Sequence, residues 1–463
     1  MQKKVPVILG FLYLFLVMTS YYILKPVRES FFLGQQGYQR LPIAHLLVVT
    51  ATFFTMLAYS AAVRRLGRAR LITAANVFFL ASIAFFWFVL TQLGDLPMLR
   101  KNMAWAYYCW VSVFVVFAMT MFWSVAHTIF TSEDGSKVYG VIGAGATSGA
   151  IVGGLLTKTF AEVVGTENLL LLAGGCLAPC LLLGNWLIKY TKTRTPPAGR
   201  ADDKTSANTP TTAVSDNPCE PPLSRPPKKN PASNAAEPIT SKYRPALTIF
   251  RQSPYLCVLG AIVFMTILIS VFDEYRYGQI ITGAFPVEAG DARTVFFANV
   301  YFYTNIIGLF FSLVLTGWVQ SRFGPAPGMF LYALAVFATA IAFLMQPSVN
   351  VVFWSAVCIQ SIAYSIHQWS RELLYTVTTA EEKFVAKGVI DTFLFRAGAA
   401  TAALTLLVAA EIGRSEAAPD GLLSGAVTQM SFVTMPLAIV LMGLIWWISR
   451  RFKGRKRSWV VGG

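Results

Sequence analysis

The recurrence of long apolar segments along nearly the whole chain limits most strongly what it can fold into. Each of these segments is long enough to cross the roughly 30 Å hydrocarbon core of a bilayer as a helix. Of the 463 residues, 55% are hydrophobic and only 13% are charged, and the mean hydropathy is +0.57. A composition of this kind excludes a soluble globular protein. We therefore predict an all-α protein that crosses the membrane many times.

Hydropathy, together with the positions of Gly, Pro and charged residues, predicts twelve membrane-spanning helices. The first apolar segment is too long for a signal peptide and has no small-x-small cleavage site, so we expect it to be retained as span 1. The expected bounds of the spans are 5–33, 41–63, 71–93, 103–130, 138–160, 168–189, 254–281, 294–320, 327–346, 349–376, 384–410 and 428–449.

The basic residues alternate between the two sides of the predicted membrane domain. The connections that follow even-numbered spans are the more basic ones, and they carry Arg64, Arg65, Arg68, Arg70, Lys137, Arg322 and Lys383. Because cytoplasmic segments are enriched in Lys and Arg, we expect both termini in the cytoplasm, at a bacterial inner membrane. The same bias accounts for the net charge of +16, so no nucleic-acid partner is expected.

The segment 191–244 divides the predicted spans into six and six. It holds ten of the 23 prolines and has little to bury, so we expect a disordered cytoplasmic linker. It separates an N-terminal half, 1–190, from a C-terminal half, 245–450, which is followed by a basic tail, 451–463. Arg28 and Arg276 are 248 positions apart, as are two Gly-Val-Ile motifs, which indicates a duplication. Two pseudo-symmetric six-helix halves are typical of secondary transporters of the major facilitator type.

Four segments of the sequence resemble the ATP:ADP antiporter family. They are "YYILKPVRESFFL", "KVYGVIGAGATSGAIVGGLL", "VFDEYR" and "KGVIDTFLFRAG". The resemblance covers both halves and implies a carrier related to the major facilitators that exchanges ATP for ADP. It also implies that charged membrane residues matter for transport, and those within the matching segments are Lys25, Arg28, Asp273, Arg276, Asp391 and Arg396.

Span 1 gathers Lys25, Arg28 and Glu29 on one helical face. Two readings remain open, because these charges can line a central cavity or lie at the membrane interface. Lys25 and Glu29 are spaced for an i,i+4 ion pair, which would leave Arg28 without a partner within the helix. Pro26 can kink the span and turn the charged face toward the cavity.

Spans 7 and 11 carry further charges at membrane depth. Asp273 and Arg276 are spaced for a local i,i+3 ion pair, which would leave Glu274 without a partner in the same helix. Arg396 lies closest to the membrane centre, and Asp391 is turned away from it around the helix. Arg396 therefore needs an acidic residue on another helix, a water-filled cavity or an anionic substrate.

Several other polar residues have a structural and a functional interpretation. Arg371 and Glu372 in span 10 are expected to form a gate or an interfacial pair, and Asn305 to bind substrate or to join helices. Tyr22 is a candidate for packing on a substrate ring. The glycines at 145, 149 and 153 are expected to form a face for close helix packing, because no phosphate-loop lysine follows them. Neither a hydrolase triad nor zinc-ligand spacing occurs, so we expect no enzyme, metal or cofactor.

The leading hypothesis is a transporter of a small anion, such as a nucleotide, that works by alternating access as a monomer. A positively biased central cavity would hold the anion through Lys25, Arg28, Arg276 and Arg396, with Tyr22 and Asn305. A second hypothesis is a proton-coupled importer or exporter of another solute, such as a siderophore or metabolite. The candidates for proton coupling or gating are Glu29, Asp273, Glu274, Arg371, Glu372 and Asp391. A third hypothesis is a membrane receptor or scaffold that transports nothing and docks a partner through the linker.

Overall fold

The computed structural model describes residues 4–93, 96–130, 132–192, 246–379, 382–415 and 422–461. The regular structure of these residues is entirely helical, and they include no β-strand. The predicted linker lies almost wholly outside the described residues.

Twelve helical segments within the described residues are long and apolar enough to cross a membrane, as predicted. We number them as spans in chain order. Their bounds are Val5–Gln36, Tyr38–Arg65, Arg70–Gln92, Pro97–Ala126, Val138–Val164, Leu169–Leu187, Pro254–Ala284, Gly290–Phe323, Ala326–Met345, Val349–Val377, Lys387–Glu411 and Gln429–Arg455.

The structure corrects the prediction at two basic segments, the one between spans 2 and 3 and the C-terminal tail. The basic segment between spans 2 and 3, predicted to be a loop, is helical, and one helix runs from Leu41 to Gln92. The basic tail, predicted to be a separate segment after the last span, is instead part of the last helix, Leu422–Val461. Both segments are rich in arginine and lysine, which favour helix, so nothing in the local sequence ends helical hydrogen bonding there.

Each half of the chain has its own hydrophobic core. The larger core is formed mainly by spans 1–6, with Ile281, Phe343 and Val352 added from the C-terminal half. The second core lies entirely within residues 249–452. Each set of six spans therefore buries its apolar side chains largely against itself.

The predicted glycine face of span 5 packs directly on span 1. A Cβ atom added at Gly145, Gly149 or Gly153 would overlap a backbone carbonyl oxygen of span 1, on Phe11, Phe15 and Thr19 respectively. Only glycine lets two helix backbones approach this closely. The prediction of a packing face is confirmed.

The described residues of the C-terminal half contain four π-helical segments, in which the helix is wound more widely than an α-helix. They are Phe311–Leu315 in span 8, Ala363–His367 in span 10, Glu382–Ala386 directly before span 11, and Ile390–Leu394 within span 11. The described residues of the N-terminal half contain none. Such segments are often found at functional sites, and Asp391 lies within one of these.

Candidate functional site

A cavity of about 410 Å³ lies between the two halves. Spans 1, 2 and 4 line it from the N-terminal half, and spans 7, 8, 10 and 11 line it from the C-terminal half. The volume is typical of a small-molecule site. Aromatic side chains form much of the wall, namely Tyr21, Tyr277, Phe296, Phe297, Tyr301, Tyr364 and Phe395.

The three charged residues of span 1 all line the cavity. Arg28 forms an ion pair with Glu29, donates a hydrogen bond to Ser112 Oγ at 2.7 Å, and stacks on the ring of Tyr108 at 4.6 Å. The expected pairing of Lys25 with Glu29 is therefore wrong. The long Arg28 side chain reaches the adjacent carboxylate, and their side chains are only 10% and 6% exposed.

Lys25 takes its main contact from the other half of the protein. Its Nζ lies 3.9 Å from the ring centroid of Tyr301 in span 8, and 5.7 Å from that of Tyr22. Such cation–π contacts stabilise an ammonium group without neutralising it. Among the described residues, no carboxylate lies within ion-pair distance of Lys25.

Span 7 separates its charges between the cavity and the protein interior. Asp273 and Arg276 form the predicted local ion pair, and Arg276 also donates to Ser431 Oγ at 3.1 Å. Arg276 is fully buried behind the cavity wall, which corrects the expectation that it faces the substrate. Glu274 does face the cavity and lies 3.4 Å from His45 of span 2.

Span 11 contributes Arg396 to the cavity wall. Within the part of the chain that the structure describes, no acidic side chain pairs with it. The sequence left three environments open for Arg396, namely an acidic partner, a cavity and an anionic substrate. In the structure Arg396 lies in a cavity. Asp391 is instead 3.8 Å from Arg371 of span 10.

Arg371 and Glu372 do not pair with each other, although they are adjacent. Each contacts span 11, Arg371 through Asp391 and Glu372 through Lys387, whose Nζ lies 2.5 Å from the carboxylate. These two ion pairs hold spans 10 and 11 together within the C-terminal half. The expected interfacial pair of Arg371 with Glu372 is therefore absent, and the two observed ion pairs lie outside the cavity wall.

Two further candidates for substrate binding lie behind the wall. Tyr22 is buried and packs its ring edge-on against Tyr301, with centroids 6.1 Å apart. Asn305 donates to the carbonyl oxygen of Tyr301 at 2.7 Å, one turn back in the same helix. Both residues support Tyr301, and neither lines the cavity.

The charge of the cavity wall also differs from the expectation. Three cationic residues, Lys25, Arg28 and Arg396, face three carboxylates, Glu29, Asp273 and Glu274. The wall is therefore balanced and has no strong positive bias. Because Arg28 pairs with Glu29 and Asp273 with Arg276, the cations without a carboxylate partner are Lys25 and Arg396.

One end of the bundle is closed by hydrogen bonds between the halves, and we call it the sealed end. It comprises the ends of spans 1 and 7 and the starts of spans 2 and 8. Arg293 donates through Nε to the carbonyl oxygen of Ser30 at 2.9 Å, and Ser30 Oγ donates to the carbonyl oxygen of Gly290 at 2.8 Å. The backbone N–H of Thr166, which joins spans 5 and 6, donates to Asp291 at 2.8 Å.

The hydrogen bonds and ion pairs that the structure shows between the two halves lie in the part of the bundle between the cavity and the sealed end. The cavity is thus closed at this end.

No sequence pattern singles out His45, Arg293 or Tyr301 as functional residues. Arg293 stands next to a predicted span boundary, where a solvated arginine is ordinary. His45 is a single histidine in an apolar segment, and Tyr301 is one of many membrane tyrosines. Only their partners on the other half reveal their roles, and no spacing within one helix encodes those partners.

The histidine, cysteine and acidic side chains of the described residues form no group of three that could hold a metal ion. No sequence motif among the site residues predicts cofactor binding either.

Solved transporter structures share this fold at low sequence identity. A bacterial homologue of the human lysosomal transporter Spinster, inward-facing and unoccupied, is 14% identical with a TM-score of 0.54, covering 98% of each chain. The nucleoside transporter NupG is 11% identical with a TM-score of 0.59, covering 95% of this chain and 98% of its own. A POT family transporter in complex with a thioalcohol-conjugated peptide is 11% identical with a TM-score of 0.60, covering 96% of each.

No curated protein matches the chain. A family model described as Major Facilitator Superfamily matches residues 105–403, which is more than half of the sequence. The chain therefore belongs to the Major Facilitator Superfamily, and it is a multi-pass membrane transporter.

Proposed function

We propose that this transporter carries a small organic anion, and that Lys25 and Arg396 hold the anionic group. The observation that supports this most directly is the position of these two cations. They face one cavity from opposite halves, and neither has a carboxylate partner among the described residues. Arg396 offers a planar fork for a carboxylate or phosphate, and Lys25 offers a point charge.

The rest of the wall suits an organic body with an apolar or ring portion. Aromatic rings from both halves surround the cavity, and Tyr301 carries Lys25 on its face. With Arg28 paired to Glu29 and Asp273 to the buried Arg276, Glu274 is the one remaining carboxylate among the described wall residues. Because it offsets part of the charge of Lys25 and Arg396, the cavity favours a cargo with one or two negative charges over one with many. ATP/ADP exchange, which the family resemblance implies, is the finer proposal and the first cargo pair to test.

We propose alternating access between the two halves as the mechanism, with residues 191–244 as the tether and a monomer as the working unit. The basic connections after even-numbered spans support a cytoplasmic position for both termini, at a bacterial inner membrane. With that orientation the sealed end is the outer end. A cargo that draws Lys25 and Arg396 together would favour closure of the cytoplasmic end.

A second candidate is a proton-coupled carrier of another solute, such as a siderophore or other metabolite. The observation in its favour is Glu274, a carboxylate of the C-terminal half that faces the cavity and contacts His45 and Tyr108 of the N-terminal half. In pure exchange, uptake requires a counter-substrate. In proton coupling, uptake requires a pH gradient, and liposomes with either one imposed separate the two mechanisms.

The proposal of an anionic cargo is tested by thermal stabilisation of the purified protein. We would compare small carboxylates and phosphates, including ADP and ATP, with uncharged analogues such as adenosine. We expect an anion to stabilise the wild type and to lose its effect in Arg396→Gln and Lys25→Gln. Arg322→Gln is the matched control, because Arg322 is an exposed arginine at the far end of span 8. Stabilisation only by uncharged solutes, or by anions equally in all variants, would overturn the proposal.

Transport itself is then measured with liposomes that contain ADP, by following the entry of labelled ATP. Exchange that is lost in Arg396→Gln and kept in Arg322→Gln would support nucleotide exchange. Failure of the folded wild type to take up ATP would exclude that cargo pair and move the test to the stabilising anion.

A further inference from the structure

The last helix, Leu422–Val461, continues without a break from span 12 into a strongly basic segment. Positions 450–457 hold six arginines and lysines, and no acidic residue follows Asp420 in the sequence. Because span 12 is an even-numbered span, it ends at the opposite end of the bundle from the sealed end. A continuous helix therefore carries a concentrated positive charge to the membrane surface there.

One side of this basic segment is fixed to the C-terminal half. Phe452 is buried in the second core. Beside it, Arg455 donates to Ser253 Oγ at 3.2 Å and lies 3.5 Å from Glu382 Oε2. These contacts hold the helix against the residues that directly precede spans 7 and 11. The rotation of the helix about its own axis is therefore set, and its other side faces away from the protein.

The outward side of the segment is exposed and positively charged. Arg450, Arg451 and Lys453 are exposed, and we call these three residues the basic face. Among the described residues, no carboxylate lies within ion-pair distance of any of them. The basic face is therefore open to an anionic partner from outside the chain.

Two tryptophans, one helical turn earlier, position the two arginines. Arg450 Cζ lies 3.8 Å from the ring centroid of Trp446, and Arg451 Cζ lies 5.2 Å from that of Trp447. Tryptophan is enriched at the depth of the lipid headgroups, so the two guanidinium groups lie where phosphates are found. A guanidinium that stacks through its face keeps its N–H groups directed outward in the plane, where they can bind an oxyanion.

An exposed apolar surface leads along span 12 to the basic face. Phe432, Ile439, Trp446 and Lys453 follow one another at intervals of seven residues, so they lie on the same side of the helix, two turns apart. The three apolar members are 64%, 57% and 50% exposed. A Cβ atom added at Gly443, between Ile439 and Trp446, would meet nothing within 4 Å. The surface thus offers a path for a hydrocarbon chain that ends at a cluster of cations.

We propose that the basic face binds the headgroup phosphate of an anionic phospholipid, whose acyl chain lies along this surface of span 12. The charge of the basic face is complementary to the phosphate, and the apolar surface is complementary to the chain. A cluster of basic residues directly after a membrane span is typical of sites for anionic lipids. A free phosphate would use the cations alone, and the continuation into exposed apolar side chains favours the lipid. This inference does not depend on the identity of the cargo.

The experiment measures lipid binding to the purified, delipidated full chain by native mass spectrometry. The probes are phosphatidylglycerol, which carries a net negative charge, and phosphatidylcholine with the same acyl chains, which carries none. Inorganic phosphate is the third probe and represents the headgroup anion without a chain. The test variant is Arg450→Gln/Arg451→Gln, and its unfolding temperature is measured alongside.

The chain offers a matched control in Arg64→Gln/Arg65→Gln. Arg64 and Arg65 are also adjacent, exposed arginines, in the basic connection after span 2 at the same end of the bundle. Among the described residues, no aromatic ring stacks on either of them. The control therefore removes the same charge from the same side of the membrane and leaves the basic face intact.

We expect the wild type to bind phosphatidylglycerol about 30-fold more tightly than phosphatidylcholine, or about fivefold for each arginine. Arg450→Gln/Arg451→Gln should lose this preference, whereas the control should keep it within about twofold, because distant exposed charges are screened. Arg450→Lys/Arg451→Lys keeps the charge and loses the planar fork, so it should bind phosphatidylglycerol several-fold more weakly than the wild type. This variant also tests the site if the glutamine variant fails to fold.

Three results would overturn the proposal. Equal binding of the two phospholipids by the wild type would show that the headgroup charge is not recognised. An equal loss in the control variant would assign the preference to overall positive charge and not to the basic face. Displacement of phosphatidylglycerol by an equal concentration of inorganic phosphate would identify a site for a free anion only.

Discussion

Arg293 Nε donates a hydrogen bond to the backbone carbonyl oxygen of Ser30 at 2.9 Å, and this bond ties the start of span 8 to the end of span 1. The same guanidinium donates through a second nitrogen to the carbonyl oxygens of Phe285 and Pro286, at 3.3 and 3.2 Å. A side chain at Gly34 would overlap it. One buried arginine therefore connects three backbone segments at the sealed end.

Replacing Arg293 with lysine should weaken the seal, because an ammonium group cannot reproduce the fork that reaches three carbonyl oxygens. A loss of about 1.4 kcal/mol of differential stability would raise the open population about tenfold. The measurement is the distance between spin labels at Met98→Cys and Met345→Cys. Arg322→Lys, at the opposite end of the same span, is the control and should leave the distances unchanged. An Arg293→Lys protein with a wild-type distance distribution would show that the hydrogen bonds of Arg293 do not determine closure.

Gly149→Ala should destabilise the N-terminal half by about 1–3 kcal/mol, because the added Cβ overlaps the backbone of span 1 and cannot be relieved by a side-chain rotation. Gly143→Ala in the same span is the control, since a Cβ there meets nothing within 4 Å. That variant should be as stable as the wild type or slightly more so. Thermal unfolding of both purified variants in detergent is the measurement, and equal unfolding temperatures would contradict the close approach of spans 1 and 5.

Arg28→Met or Glu29→Gln alone should each cost about 3 kcal/mol of stability, because each leaves a buried charge without its partner. The double variant should cost clearly less than the sum. The half-buried pair of Arg100 and Glu167, whose side chains are 30% and 31% exposed, provides the comparison. Its coupling should be about 0–1 kcal/mol. A double-mutant cycle of unfolding free energies tests both pairs, and additive losses at Arg28 and Glu29 would argue against a tight buried pair.

Tyr301→Phe should preserve transport within about twofold, because the ring face under Lys25 remains. Tyr301→Leu removes that face and should raise the KM for the anionic cargo several-fold, with a smaller effect on the maximal rate. Initial uptake rates across a range of cargo concentrations separate the two parameters. An equal loss in both variants would place the importance of Tyr301 in its hydroxyl group.

Much of the fold was predictable because the bilayer imposes a single length and polarity on every spanning helix. The predicted bounds of span 7, 254–281, differ from Pro254–Ala284 by three residues, and those of span 9, 327–346, by one at each end. The basic connection before span 3 was the exception. A loop and a helical turn there satisfy the same hydropathy pattern, and only backbone hydrogen bonding distinguishes them.

The sequence allowed the types of residue in the site to be predicted, but it was a poorer guide to which charged side chains pair with each other. Arg28 and Glu29 are neighbours in sequence, a spacing that does not bring side chains face to face on a helix in water. Their side chains are only 10% and 6% exposed, so little water competes for the guanidinium and the arginine reaches the nearest carboxylate. Arg276 faces inward because Ser431 of the last helix accepts its hydrogen bond, and that contact spans 155 residues.

The π-helical segments of spans 8, 10 and 11 give the two halves different mechanical properties. A turn with a surplus residue can pass it along the helix, so a span can lengthen or rotate locally while its hydrogen bonds exchange partners. Spans 1 and 5 have backbones in contact along a glycine face and cannot change length or rotate locally in this way. The N-terminal half is thus suited to move as a rigid body. The C-terminal half is suited to change its helix geometry during the movement, near Asp391 and His367.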